Sequence, residues 1–229
     1  GLQAALLEQV RDNPDIELRL GTRIDHAVSH NDGVTVDLRG SATNREETAW
    51  ALIGADGVWS ALRDQLFPDA SPLFSGLIAW RGTIEATQLP HETAPRGVQL
   101  WMGPHAHLVA YPMSGGRQVN IVAVVPDAWN QPGWSAPGDA ADIKRRFAQA
   151  RWPESARVTI DAVERWRKWA LFTIPPMAAW HRDAMALVGD AAHAMLPFAA
   201  QGAGMAIEDA AVIASCLSEA ADENANGAT

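Results

Sequence analysis

Two short apolar runs end in the same chemical way. Trp50-Ala-Leu-Ile-Gly54 leads into Ala55-Asp56-Gly57, and Met185-Ala-Leu-Val188 leads into Gly189-Asp190. A continuous apolar run of this length, bounded by turn residues, reads as a strand covered on both faces, as in a parallel sheet. Open α/β sheets bind ligands at the carboxyl ends of such strands. A carboxylate delivered there can accept hydrogen bonds from ribose or ribitol hydroxyls. The second run continues through Pro197, which stiffens a loop, into Gln201-Gly-Ala-Gly204 and a long apolar stretch. Glycines let backbone approach a flat ligand, and the N–H groups at a helix start favour negative charge. Asp56-Gly57 alone is an ordinary turn dipeptide. The full ordered string from Met185 to Ala210 is far more demanding.

The remaining chain supplies the frame. Leu2–Arg11 has helical spacing and stops at Asn13-Pro14. Ile16, Leu18 and Leu20 alternate, as do Val34, Val36 and Leu38, so both stretches read as half-buried strands. Leu77–Ile84, Gly97–Met102, His107–Met113 and Arg117–Val125 read as strands. Ser114-Gly115-Gly116 reads as the turn of a hairpin. Asp127–Gly138 reads as a loop, Ala140–Ala150 as a helix and Val158–Val163 as a strand. Gly202–Leu217 reads as a helix apolar nearly all round, which would pack inside a domain with Cys216 as a small buried side chain. Ser218–Thr229 reads as a soft tail. Two blocks of α/β character thus flank a β-rich block, the pattern of one domain interrupted by another.

Composition excludes several classes. The 229 residues suit one large domain or two small ones at roughly 150 residues each. With 18 Lys+Arg against 27 Asp+Glu, the net charge of −9 opposes binding to nucleic acid or an anionic membrane surface. No apolar run approaches the ~20 residues of a membrane span, and the first residues given do not show the basic-then-apolar pattern expected of a signal peptide. One cysteine excludes an internal disulfide framework and a cysteine zinc cluster. His105 and His107 sit one apart without an obvious third metal ligand. The expected compartment is cytoplasmic, with no nucleic-acid, membrane or metal partner.

Taken together, the two segments resemble the FAD-dependent single-component aromatic hydroxylases, in the branch of salicylate and 3-hydroxybenzoate hydroxylases. Gly54-Ala-Asp-Gly57 with Ser60 and Arg63 is similar to that family's second cofactor motif. Gly189-Asp190-Ala-Ala-His193 with Pro197, Gln201-Gly202, Gly204 and Glu208-Asp209-Ala210 is similar to its third. Ala79-Trp80-Arg81-Gly82 and Trp169-Ala-Leu-Phe172 also resemble the branch. The resemblance covers essentially the whole chain. It implies an α/β fold: a partial, Rossmann-like FAD-binding domain (1–66 and 176–229) interrupted by a mainly antiparallel β-sheet substrate domain (67–175).

The resemblance also implies roles. Gly189 and Asp190 would meet the FAD ribitol region. Pro197 with Gly202, Ala203, Gly204 and Met205 would line the flavin ring, the helix start stabilising charge at its edge. Asp56 and Gly57 would serve the pyrophosphate and NAD(P)H, Arg63 would hold their loop, and Ile24 would touch adenine through its backbone. His193 touches the flavin or orients the loop, or is a structural histidine without contact to the cofactor. Glu208 and Asp209 would lie in a first helical turn. Arg81 would bind a substrate carboxylate or form a surface ion pair, and Leu196 and Phe198 would face the substrate. Pro197 and His193 are the residues nearest the chemistry, which the cofactor itself performs. The implied reaction is NAD(P)H- and O2-dependent hydroxylation of a small aromatic substrate through a flavin C4a-hydroperoxide. The alternatives are an epoxidase, halogenase or reductase of the superfamily, or a non-catalytic module.

Two departures qualify the resemblance. The chain contains no GxGxxG, where the family opens on strand, glycine-rich turn and helix, and Thr173-Ile174 replaces an Asp-Arg pair common in the branch. Neither Gly1 nor the tail looks like a natural terminus. The expectation is a piece of a longer protein that does not hold FAD alone. A preceding strand would be the parallel neighbour of both apolar runs. Self-association or a covering partner would otherwise shield their edges.

Overall fold

The computed structural model describes residues 1–40, 44–131, 133–148 and 152–227. In chain order the elements begin with α1 (Leu2–Asp12), β1 (Arg23–His30), β2 (Gly33–Arg39), β3 (Asn44–Ala49), β4 (Leu52–Gly54) and α2 (Ala61–Leu66). There follow β5 (Leu73–Glu85), β6 (Gln99–Gly103), β7 (Ala106–Met113), β8 (Gln118–Pro126) and β9 (Ser135–Gly138). Helices α3 (Ala140–Phe147) and α4 (Glu154–Asp161) precede β10 (Trp166–Thr173). The chain closes with β11 (His181–Arg182), β12 (Met185–Leu187), α5 (Asp190–His193) and α6 (Gly202–Gly227). It divides into two compact units, Gly1–Ser71 with Ile174–Thr229, and Pro72–Thr173.

In the first unit β1, β2 and β3 form an antiparallel sheet with β2 central. Val34, Val36 and Leu38 alternate inward as their spacing predicts, and they pack with Ala27, Leu62, Leu66, Met185 and Leu187. The two apolar runs pair directly and in parallel, Met185 opposite Leu52 and Leu187 opposite Gly54. This corrects the expected third strand beside both. The second edge of β12 is taken by β11, so of the two apolar runs only β4 keeps an open edge among the described residues. Gly54 permits this packing: a Cβ there would lie 2.7 Å from Leu62 Cδ2 and 3.0 Å from Leu187 Cδ2.

The second unit is a six-stranded antiparallel sheet ordered β6-β7-β8-β5-β10-β9. Ser114, Gly115 and Gly116 turn β7 into β8, with φ of 53°, 69° and 84°. One sheet face carries Ile78, Trp80 and Ile84 of β5 with Leu108, Ala110, Ile121 and Ala123. These bury against Ile143 and Phe147 of α3 and Ala156 and Ile160 of α4. Burying so many branched and aromatic side chains is the main stabilisation of this unit, at roughly 1.5–3 kcal/mol each.

Several expectations fail for physical reasons. Ile16–Leu20 alternates but finds no partner strand among the described residues, and Leu20 is 78% exposed. Arg19 instead pairs with Glu17 and Glu47. Val158–Val163 is largely helical. Ala156, Thr159 and Ile160 recur at helical spacing and bury on the sheet, so packing overrides the strand preference of β-branched residues. Within the supposed loop, Ser135–Gly138 pairs with β10. Helix α3 ends at Phe147, and the Gln149 and Ala150 of the predicted helix lie outside the described residues. Helix α6 runs through the supposed tail to Gly227. It is not enclosed: Ile207 is 55% and Val212 64% exposed, and Cys216 is exposed. No described helix is long and apolar enough to cross a membrane.

Candidate functional site

The carboxyl ends of β4 and β12 lie side by side, which brings the two Gly-Asp segments together. After β4, Asp56 turns back onto the next helix. Its Oδ2 accepts the N–H of Ala61 at 2.9 Å and of Leu62 at 3.4 Å. Ser60 caps the same helix, accepting the Arg63 N–H at 2.9 Å. Both acceptors sit where a helix start offers unpaired donors and partial positive charge. Gly57 supplies the turn with φ 78° and open space where a Cβ would be.

Arg63 joins the two segments. Its side chain is fully buried. Nη1 donates to Ala191 O at 3.2 Å and Nη2 to Val58 O at 2.9 Å. Nη2 also lies 3.3 Å from Asp64 Oδ1, on a largely exposed carboxylate. A guanidinium suits this position because its rigid fork can reach two backbone carbonyls at once. Nε finds no partner among the described residues.

After β12, Gly189 adopts φ 58° and ψ −141°, a conformation open essentially to glycine alone. The turn is clamped by Asp209 of α6. A single oxygen, Oδ2, accepts the Gly189 N–H at 2.7 Å and meets His193 Nε2 at 2.6 Å. The two side chains are 9% and 17% exposed, so the contact is charge-assisted and largely dry. A carboxylate only accepts here, which sets Nε2 as the protonated ring nitrogen. Trp180 packs 5.0 Å from the His193 ring, and the buried Nδ1 lacks a partner among the described residues.

The clamp fixes what lies beside it. Gly202, Ala206 and Asp209 are spaced as one helix face, and a Cβ on Gly189 would come 3.2 Å from Ala206 Cβ. A Cβ on Gly202 would lie 4.0 Å from Asp190 Oδ1, so the exposed Asp190 carboxylate stands at the start of α6. The Met205 N–H bonds Gln201 O at 2.9 Å. The N–H groups of Gly202, Ala203 and Gly204 precede it and have no intrahelical acceptor. Pro197 opens a short 3-10 turn, Pro197–Ala199, preceded by half-buried Leu196 and containing Phe198 at 57% exposure.

Other expected residues lie elsewhere. Ile24 and Asp56 line one open cleft of about 570 Å³ with Trp59, Leu62 and Gln65. Asp190 and Gly202–Met205 do not line it. Arg81 belongs to the other unit, on β5. It forms no ion pair with a described residue; its guanidinium stacks 5.4 Å from the Trp169 ring centroid. His105 turns at φ 60°, and burial lowers the His107 pKa. No group of three metal-ligating side chains occurs among the described residues.

Sequence reasoning missed the clamp. Asp209 was expected in a first helical turn, but α6 starts at Gly202 and Asp209 lies two turns in. The available signal was the seven-residue spacing from Gly202, which returns a side chain to the same face. Trp180 gave none.

Strands whose carboxyl ends carry a Gly-Asp turn beside a glycine-started helix define the class of α/β nucleotide-cofactor binders. The family profile described as "FAD binding domain" matches residues 2–229. The chain belongs to this FAD-binding family, among the flavoprotein aromatic monooxygenases. It is 38% identical over 190 residues to a 3-amino-4-hydroxybenzoate 2-monooxygenase of Streptomyces platensis, covering 82% of this chain and 46% of that protein. It is 33% identical over 219 residues to a 3-hydroxybenzoate 6-hydroxylase of Klebsiella oxytoca, covering 95% and 53%. Among solved structures, a salicylate hydroxylase substrate complex superimposes with TM-score 0.80 and 28% identity, covering 90% of this chain and 54% of that one. The chain therefore spans about half the length of the relatives it matches. The mixed α/β fold with its antiparallel sheet is that of the FAD-dependent hydroxylases.

Proposed function

We propose that the chain forms part of an FAD- and NAD(P)H-dependent monooxygenase that hydroxylates a small, hydroxybenzoate-like aromatic with O2. The observation carrying this reading is the meeting of Asp190 with the start of α6. A carboxylate able to bind a hydroxyl stands beside three N–H groups without intrahelical acceptors, on a turn held by the Asp209–His193 clamp. These residues fit the ribitol and ring edge of FAD. Residues 1–66 and 176–229 would then be the cofactor domain, and 67–175 the substrate domain.

In this reading Gly189 and Asp190 hold the ribitol, and Gly202, Ala203, Gly204 and Met205 present backbone N–H groups to the ring edge. Pro197 stiffens the approach. Asp56, Gly57 and the carbonyl-anchored Arg63 shape the pyrophosphate and NAD(P)H side, and Ile24 borders the adenine. His193 acts through its bond to Asp209, keeping the turn in place. Leu196, Phe198 and Arg81 contact the substrate. Bound FAD supplies the redox and oxygen chemistry; the protein binds, orients and excludes water. No metal is required of these residues.

The test is NAD(P)H consumption by the full-length polypeptide against a panel of hydroxybenzoates, with product identification. Stoichiometric hydroxylated product from a phenol or aromatic acid supports the proposal. Turnover stimulated only by polyprenoid alkenes, with epoxide products, overturns it.

A further inference from the structure

Alternation along β5 sends Ile78, Trp80 and Ile84 beneath α3 and α4, and turns Ala79, Arg81 and Thr83 to the opposite sheet face. There Arg81 stands directly opposite Arg167 of β10. Trp169, two residues along β10, lies under both guanidinium groups, whose central carbons are 5.4 and 5.8 Å from its ring centroid. Like charges directly opposite one another destabilise a sheet. Neither arginine reaches a carboxylate among the described residues, although the chain has 27 acids for 18 bases. Arg167 donates one N–H to Ser135 Oγ at 2.9 Å, whereas Arg81 donates to no described residue.

A guanidinium stacked on an indole keeps the N–H groups of its own plane free, and two of them match the two oxygens of a carboxylate. Along the same row as Arg81 come Val122 of β8 and Val109 of β7. They form an apolar shelf two strands wide, about 10 Å at ~4.8 Å per strand. Tyr111 and Asn120 face one another in the adjacent row. The face thus offers an anion acceptor, a flat apolar bed the size of one benzene ring next to it in the same row, and polar side chains in the row alongside.

We infer that Arg81, Trp169 and Arg167 form an anion subsite for a small aromatic carboxylate, whose ring lies on Val122 and Val109. The inference rests on the proposed role of residues 67–175 in holding substrate. It names which side chains would hold the acid group.

The subsite can be tested in the 229-residue chain without cofactor. Indole 15N-labelled protein is titrated with salicylate, 3-hydroxybenzoate, phenol and inorganic phosphate, the Trp169 signal being assigned with Trp169→Phe. Both carboxylates should give a saturable Trp169 shift, with phenol and phosphate at least about tenfold weaker. Losing a charge-assisted pair, Arg81→Gln should raise the dissociation constant about tenfold or more. Arg167→Gln should raise it too, and Arg117→Gln, on the distant hairpin, should not. Unchanged far-UV circular dichroism shows that each variant folds. A missing Trp169 shift, an unaltered Arg81→Gln titration, or phosphate binding as tightly as salicylate overturns the subsite. In the full-length protein, Arg81→Gln should raise the hydroxybenzoate KM about tenfold while kcat changes little. Hydroxylation with an unchanged KM overturns the subsite and leaves the proposed function standing. A parent protein without turnover overturns the function and leaves the titration to judge the subsite.

Discussion

Asp209→Ala removes the one oxygen that serves both the Gly189 N–H and His193 Nε2. Two buried donors lose their acceptor together, and each orphaned group costs about 1–3 kcal/mol. Asp209 is 17% exposed, so water can reach the vacated space in part, which favours the lower half of that range. The expected loss is about 2–4 kcal/mol. At roughly 2–4 °C per kcal/mol for a chain of this size, the melting temperature should fall by roughly 5–15 °C. Asp209→Asn keeps an oxygen for the Gly189 N–H and should lose about half as much, because only the charge assistance goes. Equilibrium urea unfolding followed by far-UV circular dichroism measures all three proteins. A loss below about 1 kcal/mol in Asp209→Ala would mean that the Gly189 conformation is held by other contacts, and the clamp argument would fail.

Three further outcomes are expected. In the intact protein, Asp190→Ala should weaken FAD retention about ten- to a hundredfold, for the loss of about 1.5–3 kcal/mol; fluorescence titration showing parental affinity would remove Asp190 from the site. Gly82→Ala should destabilise the sheet unit by about 1–3 kcal/mol, because its Cβ would lie 2.3 Å from Val163 Cγ1; an unchanged urea midpoint would contradict the packing of Val163 on β5. Burial lowers the His107 pKa below 6.5, so the unfolded chain binds the proton more readily. Stability should therefore fall as pH drops through and below about 6.5. His107→Gln should flatten that slope, and identical pH profiles for the two proteins would refute the assignment.

The parts of the fold legible in the sequence are those fixed by short-range rules. Alternation at Val34, Val36 and Leu38 and the turn at Ser114–Gly116 hold because neighbours in sequence are also neighbours in the sheet. The rule fails where a partner is needed. Ile16–Leu20 has strand alternation and no strand beside it among the described residues, and Val158–Val163 has strand-forming residues and a helix-shaped berth on the sheet. The apolar residues of helix α6 imply an enclosed helix, but exposure depends on what lies around a helix, which its own sequence does not contain.

For the candidate site, the sequence by itself determined the chemistry available: two Gly-Asp turns after apolar strands, a glycine-opened helix, and one arginine three residues after a serine. Covalent spacing alone puts Ser60 at the cap of α2 and Gly202–Gly204 at the start of α6. Only the tertiary structure decided which of these groups meet. Arg63 crosses 128 positions to bond Ala191, and Asp209 folds back to hold Gly189 and His193 with one oxygen. Arg81 finds a tryptophan and a second arginine where an acid partner was one expectation. Such pairings follow from strand register and helix packing, which sum many weak contacts across the whole chain. No local run of residues carries that sum.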